Sequence, residues 1–409
     1  MANHENSLLQ AARSNVSMNR RSLLKAGTAT VAAGMMPGLG WSAAMNGPRR
    51  ILVGSGGPQD GILSFGWDAK TGVLTPEGIA ADVSHSTWLG LSPDKKYLYV
   101  ACELEKFEGK PTGAVASFAL SGGPGKLTKI SQVASLGRGT CHLAIDRTGK
   151  VVICANYSGG SAASFLVSDG RLEVAAWDEQ YHGGGHEHLG PNKNRQESAH
   201  AHFITFSPDN RFVYVNDLGQ DRIHIYKLDA ATAKLTPAGE WKSDAGAGPR
   251  TLHFAIGGAM TGKVAYCMNE LACTVDVLEQ NAADGSLKTV QQVELLPPNP
   301  PAGVVNSACD AVLTKDGRFA YFANRGDDFL MGFHIDGKGR LKALEGLPRT
   351  ETGGKVPRNF TLDPTERWML VANQVSSNLT VFARDAKTGR LAEQGKNYEA
   401  ATPMCIVFV

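Results

Sequence analysis

Past residue 45 the chain runs as short segments in which apolar and polar residues alternate, and no stretch sustains the 3.6-residue period of an amphipathic helix. Asp-Gly, Asp-Asn and Thr-Gly pairs separate the segments, as in antiparallel hairpins. One hairpin recurs six times: LSPDKKYLYVACE (91–103), IDRTGKVVICANY (145–157), FSPDNRFVYVNDL (206–218), TGKVAYCMNE (261–270), LTKDGRFAYFANR (313–325) and LDPTERWMLVANQ (362–374). An alternating segment follows each copy, such as RIHIYKLD (222–229) or NLTVFARD (378–385). A turn and a short strand opening G-x-L then complete the unit, as in TGRLAEQG (388–395). Four strands repeated at a spacing of about 50 residues make a propeller blade. The ends supply one more copy in two pieces: residues 49–76 hold its later strands and PMCIVFV (403–409) its inner one. The expected fold is therefore all-β, a seven-bladed β-propeller with four antiparallel strands per blade and the ring closed by a split blade, which removes an exposed sheet edge.

Aligning the copies locates the chemistry. One position of the innermost strand carries Thr87, Cys141, His202, Arg250, Cys309 and Arg358. The end of the second strand carries Glu103, Tyr157, Leu218, Glu270, Arg325 and Gln374. In an antiparallel hairpin these two places lie side by side, so both sets are expected around one mouth of the axial channel. By period two, His85 and His200 are expected on the same side. The interior of the second strand is apolar, with Val213, Val215, Ala265 and Ala323, yet its last residue turns to Glu, Tyr, Arg or Gln. A packed core has no use for that change. Taken one at a time, such residues merely hydrate a propeller funnel. Together, His200, His202, Arg250, Glu270, Arg325 and Arg358 offer a base, a carboxylate and three cations. That set suits an anionic ligand held by charge-assisted hydrogen bonds of roughly 1.5–3 kcal/mol each.

Composition narrows the partners. With 41 Lys plus Arg against 39 Asp plus Glu, there is no basic field to attract nucleic acid or anionic lipid. Asn19-Arg20-Arg21-Ser22-Leu23-Leu24-Lys25, the Ala/Gly-rich run from Ala26 to Gly40 and the small residues Ser42-Ala43-Ala44 resemble a twin-arginine export signal over 1–44. The run is broken by Pro37 and falls short of the roughly 20 apolar residues a membrane span needs. The expectation is a periplasmic domain over 45–409, with the export machinery as partner of the N-terminus and no membrane attachment after cleavage. Seven cysteines without metal-type spacing argue against a disulfide framework, with Cys267 and Cys273 the one pair placed to face each other across a hairpin. The loop YHGGGHEHLGP (181–191) brings His182, His186 and His188 together as a weaker, metal-type candidate.

Several stretches, RQESAHAHFITFSPDNRFVYVNDLGQDRIHIYKLD (195–229), GAGPRTLHF (246–254), YCMNELACTVDVL (266–278), FANRGDD (322–328) and GGKVPRNFTLDPTERWMLVANQ (353–374), resemble the seven-bladed lactonase family. That family holds propeller-type 6-phosphogluconolactonases and fungal carboxy-cis,cis-muconate lactonizing enzymes, and the resemblance covers about residues 49–409. It implies a site without metal or other cofactor at the channel mouth. By motif the catalytic residues fall on His202, with His200 as the alternative histidine, Arg250, Glu270 and Arg325; the aligned positions add His200, Arg358, Tyr157, Glu103 and Gln374 as substrate contacts. One departure is Thr251, where the family often has His. The implied reaction is hydrolysis of a sugar lactone or related anionic small molecule. Glu270 is favoured as the base with His202 assisting, while Arg250 and Arg325 stabilise the oxyanion. No G-x-S-x-G elbow is present. The rival readings are a lactonizing cycloisomerase and a non-catalytic binding or interaction propeller. A closed ring is expected to be monomeric.

Overall fold

Seven antiparallel sheets, six of four strands and one of five, hold all the strands of the described chain. They come from a computed structural model that describes residues 50–409 except 58–60, 121–125, 182–187, 298 and 347. The expected export signal over 1–44, the boundary at 45, His182 and His186 lie outside the described residues. Blades one to six begin at the inner strands Ser86–Leu91, Thr140–Ile145, Ala201–Phe206, Pro249–Phe254, Ser307–Leu313 and Pro357–Leu362. The seventh takes its inner strand, Pro403–Phe408, from the end of the chain and its other three from Arg50–Ser55, Ile62–Asp68 and Val73–Ala81. Ile51 pairs with Phe408 and Val53 with Ile406, so the ring closes as the repeat predicts. The fifth blade differs in one respect: its outer strand is split into Leu341–Ala343 and Arg349–Glu351.

The second strand of each blade, such as Val264–Asn269, is buried on both faces between neighbouring sheets, which is why it reads as an apolar run rather than an alternation. Tyrosines on three of these strands tie one blade to the next. Tyr214, Tyr266 and Tyr321 donate their hydroxyls to the carbonyls of Gly285, Gly339 and Gly389 at 2.8, 2.9 and 2.6 Å. In blades three and five an arginine seals the same joint. Arg211 lies over Phe212, pairs with Asp209 and reaches the Ala282 carbonyl; Arg318 lies over Phe319, pairs with Asp316 and reaches Ala386. Blade one has Lys96 at that position. A cavity of about 420 Å³ is left between blades one and two, and the buried Tyr99 hydroxyl beside it finds no partner among the described residues.

The inner strands carry the feature that positions the site. In every blade the ladder between the first two strands slips at one place. The slip skips Thr87, Cys141, His202, Arg250, Arg358 and Met404 singly, and the pair Cys309 and Asp310 in blade five. Such β-bulges leave the extra residue out of the pairing and re-aim its side chain. The ring of aligned positions is thus a ring of bulged residues, with Met404 as its seventh member.

Two residues earlier the chain turns sharply. The carbonyls of His85, Gly139, Gly248 and Val356 accept the N–H of Glu103, Tyr157, Glu270 and Gln374 at 2.8–3.0 Å, and all four acceptors have left-handed backbone, φ 51–67°. At Gly248 a side chain would strike Leu271 at 2.7 Å. These turns break the period-two register, so His85 does not sit on the strand with Thr87 as alternation suggested.

Candidate active site

Glu270 is the centre of the cluster and is fully buried. Its N–H is held by the Gly248 carbonyl at 2.8 Å and its carbonyl by the Ala308 N–H at 3.0 Å, so blades four and five fix its backbone. Arg250 approaches Oε2 through Nε at 2.8 Å and Arg325 through Nη2 at 3.0 Å. Both approaches are close enough for strong ion pairing but off the axis of a good hydrogen bond, so charge rather than direction holds them. Arg195 takes the other oxygen, Oε1, in a hydrogen-bonded ion pair, and also donates to the Tyr157 hydroxyl at 3.5 Å. Burial alone pushes the Glu270 carboxyl up, but Arg325, Arg195 and Arg250 outweigh it and hold the group well below the usual carboxylate range.

His202 stands beside this cluster with its ring edge-on to Tyr157, centroids 5.7 Å apart. Neither of its ring nitrogens has a hydrogen-bond partner among the described residues, although the residue is only 4% exposed. Burial, and then the charge of Arg250, press its pKa well below the ordinary imidazole value, so it is neutral at neutral pH. An unsatisfied pair of buried ring nitrogens costs free energy that a bound ligand or water recovers. His200 plays a different part. Its ring stacks flat on Tyr157, centroids 4.3 Å apart, while Nδ1 bonds the Tyr157 carbonyl at 3.0 Å and Nε2 meets Glu197 at 3.2 Å. It braces Tyr157 instead of facing Glu270.

Across the mouth Arg358 faces Glu103 at 3.8 Å. The Cys141 thiol, pushed up by burial, also feels Glu103, Arg358 and Arg250, and His202 feels Arg358, so the two halves of the ring share one well. Gln374 is nearly buried there with its Oε1 unpartnered among the described residues. Beyond the bulged residues, aromatic rings of successive inner strands pack together: His142 stacks on Phe203 at 3.7 Å and lies tilted against Trp88 at 4.3 Å, and Phe203 meets His253 at 5.1 Å.

Of the nine expected site residues, His202, Arg250, Glu270 and Arg325 form one charged cluster, Tyr157 and His200 pack beside it, Arg358 faces Glu103, and Gln374 holds the equivalent strand end in blade six. Arg195 is the residue that repeat alignment missed. It belongs to no blade, so no other copy points to it; the only signal was a cation seven residues before His202 in the long connection into blade three. Of the three histidines of the histidine loop only His188 is among the described residues, and its Nδ1 lies 3.0 Å from an Arg222 nitrogen. Thr251 is fully buried against Met268, away from the mouth. All seven cysteines are free and buried; the Cys267 thiol points to Asn269 and that of Cys273 to Asn324 and the Glu270 carbonyl, so the suggested bridge does not form.

A family model described as a seven-bladed β-propeller lactonase matches residues 50–408. The 6-phosphogluconolactonase of Bacillus subtilis strain 168 is 33% identical over 356 residues, 86% of this chain and 95% of that protein. A 6-phosphogluconolactonase of Formosa agariphila is 33% identical over 340 residues, 82% and 91% of the two chains. Among solved structures, the periplasmic gluconolactonase of Pseudomonas aeruginosa superposes with a TM-score of 0.79 at 30% identity, covering 88% of this chain and 98% of that one. With the split-blade ring and the bulge-borne cluster in place, a match over the whole propeller means that the chain belongs to the seven-bladed β-propeller lactonase family.

Proposed function

We propose that this lactone hydrolase opens a sugar lactone at the channel mouth with His202 as general base and without a metal ion. The observation that carries the reading is His202 itself, a neutral, buried imidazole with both nitrogens open, within reach of the charges of Arg250, Glu270 and Arg358. Its nitrogen takes a proton from water as the water oxygen attacks the lactone carbonyl carbon. The carbonyl oxygen gains the negative charge, and Arg250 and Arg325 stabilise it. Collapse breaks the ring C–O bond, the imidazolium returns its proton to the leaving alkoxide, and a hydroxy acid departs.

This assignment reverses the expectation for Glu270. The oxygens of Glu270 face three guanidiniums, whereas both ring nitrogens of His202 are open to a water. The task of Glu270 is to order the cations. Arg195, Arg250 and Arg325 carry three positive charges against the one negative charge of Glu270, an excess suited to an oxyanion and to the carboxylate product. The guanidiniums supply the charge stabilisation that a Lewis acid would otherwise bring.

The resemblance of residues 1–44 to a twin-arginine signal supports export to the periplasm, and an exported enzyme meets unphosphorylated sugar lactones such as gluconolactone. Fractionation of cells carrying Arg20→Lys and Arg21→Lys tests the route: the variant protein is expected to stay in the cytoplasm. The paired closing strand shuts the ring without a second chain, which supports a monomer, read by light scattering. The decisive assay is hydrolysis of glucono-, 6-phosphoglucono- and muconolactones by wild type, with and without chelator, beside Arg250→Ala. A glucono-type lactone is expected to turn over with chelator present, and Arg250→Ala to lose about 10²-fold or more in kcat. Turnover of none of the three by the wild type sinks the reading.

A further inference from the structure

The charged cluster depends on a segment that is not part of the propeller repeat. Residues 188–200 form a strap between blades two and three, and Arg195 is its tip. Gln196, only 1% exposed, latches it: Nε2 donates to the Leu218 carbonyl at 2.9 Å and to Asp221 Oδ1 at 2.7 Å, and Oε1 accepts the Asn192 N–H at 3.1 Å. Asp221 in turn accepts the N–H groups of Gly246 and Gly248 at 2.7 and 2.8 Å. Gly248 is the residue whose carbonyl fixes Glu270 and which stands two residues before Arg250. One buried hub therefore sets Arg195, Glu270 and Arg250 relative to one another. The strap is also seated without slack: a side chain on Gly219 would meet the Ser198 carbonyl at 1.8 Å, and one on Gly190 would meet Gln196 at 2.1 Å.

Resting on the lactonase reading, we propose that Arg195 is a positioning residue whose strap, latched by Gln196 and Asp221, holds one oxygen of Glu270 so that only the other faces Arg250 and Arg325. Among the described residues nothing but Arg195 engages Oε1. A carboxylate released from Arg195 rotates both oxygens onto Arg250 and Arg325, because guanidinium and carboxylate prefer the bidentate fork. Those two arginines then turn their donors toward Glu270 and away from the lactone carbonyl. The same guanidinium holds the Tyr157 hydroxyl, and the Tyr157 ring forms one wall of His202. Loss of Arg195 thus loosens the oxyanion donors and the base together, without removing either.

The test is steady-state hydrolysis by the full-length exported protein as wild type, Arg195→Ala, Arg195→Lys and Gln196→Ala, with thermal midpoints measured alongside. Arg195→Ala is expected to lose about 10²-fold in kcat with a smaller change in KM. Guanidinium ion, added below unfolding concentrations, is expected to restore at least about tenfold of that loss by filling the vacated place, which it does for no purely structural defect. Arg195→Lys keeps the charge but not the fork and is expected to lose about tenfold. Gln196→Ala keeps Arg195 but frees the strap, and is expected to lose activity that guanidinium does not restore. Arg195→Ala that folds and keeps kcat within twofold of wild type overturns the proposal, as does a loss that guanidinium leaves untouched. Should Arg195→Ala fail to fold, full activity in Arg195→Lys overturns it and a tenfold loss at an unchanged midpoint supports it. A wild type inactive on every lactone fails the functional reading and takes this inference with it; an active wild type with indifferent Arg195 fails this inference alone.

Discussion

Replacing Glu270 by Gln tests the electrostatic core most directly. The side chain keeps its shape and loses its charge, while Arg195, Arg250 and Arg325 stay where they are. Glu270 is wholly buried, and the side chains of Arg250 and Arg325 are only 5% and 6% exposed. Water therefore does little to replace the lost counter-ion. Removing one partner of a buried ion pair costs about 3–5 kcal/mol, a large share of the 5–15 kcal/mol that holds a typical domain together. Here two nearly buried cations and one partly exposed one share the partner, so the upper part of that range is expected. Urea unfolding at pH 7 reads the loss as a lower midpoint at unchanged slope. The pH dependence follows from the depressed folded-state pKa: the stabilisation is complete above the unfolded carboxyl value of about 4.3 and is lost only as pH falls through the much lower folded value. The gap between wild type and Glu270→Gln should therefore stay constant from pH 8 to about pH 5 and close in stronger acid. A variant within about 0.5 kcal/mol of wild type at pH 7 would refute the three-cation account.

Three further substitutions probe other parts of the molecule. His202 is held neutral, so the unfolded chain gains its proton first as pH falls below about 6.5 and wild type loses stability that His202→Asn keeps; between pH 8 and pH 5 the variant should gain on wild type by no more than about 2 kcal/mol in urea unfolding, and its turnover should fall about 10²-fold or more. Asp217 is pushed up to about 6 by burial, although its Oδ1 accepts the N–H groups of His200, Gly219 and Gln220. Its favourable contribution is present at low pH and lost as pH rises through about 6, so Asp217→Asn should gain on wild type, by on the order of 2 kcal/mol, between pH 4.5 and pH 8. Lys96→Arg should supply the seal that blades three and five already have, its guanidinium lying over Tyr97 beside Asp94, and raise the thermal midpoint by about 1–3 °C in calorimetry.

Much of this architecture was legible because it is periodic. Alternation fixed the strands, six hairpin copies fixed the blade, and the register of each hairpin brought Arg250 beside Glu270's strand end. What escaped was aperiodic. The bulge that turns Arg250 into the well is a one-residue slip that leaves no mark on the apolar pattern, and left-handed backbone at His85 and Val356 breaks alternation without glycine to announce it. Arg195 comes from a connection with no counterpart in other blades. The proton affinities of Glu270 and His202 were also beyond the sequence, because they are set by which charges end up within a few ångströms. Arg195 lies 75 residues from Glu270 along the chain, and only folding puts its charge there.

The seven bulges have a consequence for how such a molecule changes over time. A residue that takes no part in strand pairing can be exchanged without shifting the ladder on either side, so each blade offers one slot whose content folding hardly constrains. In this chain the slots hold hydroxyl, thiol, imidazole, guanidinium and thioether groups on nearly identical backbones. A lineage is thereby free to rewrite its chemistry letter by letter, and Thr87 and Met404 are the natural places to graft a new acid, base or ligand onto this scaffold.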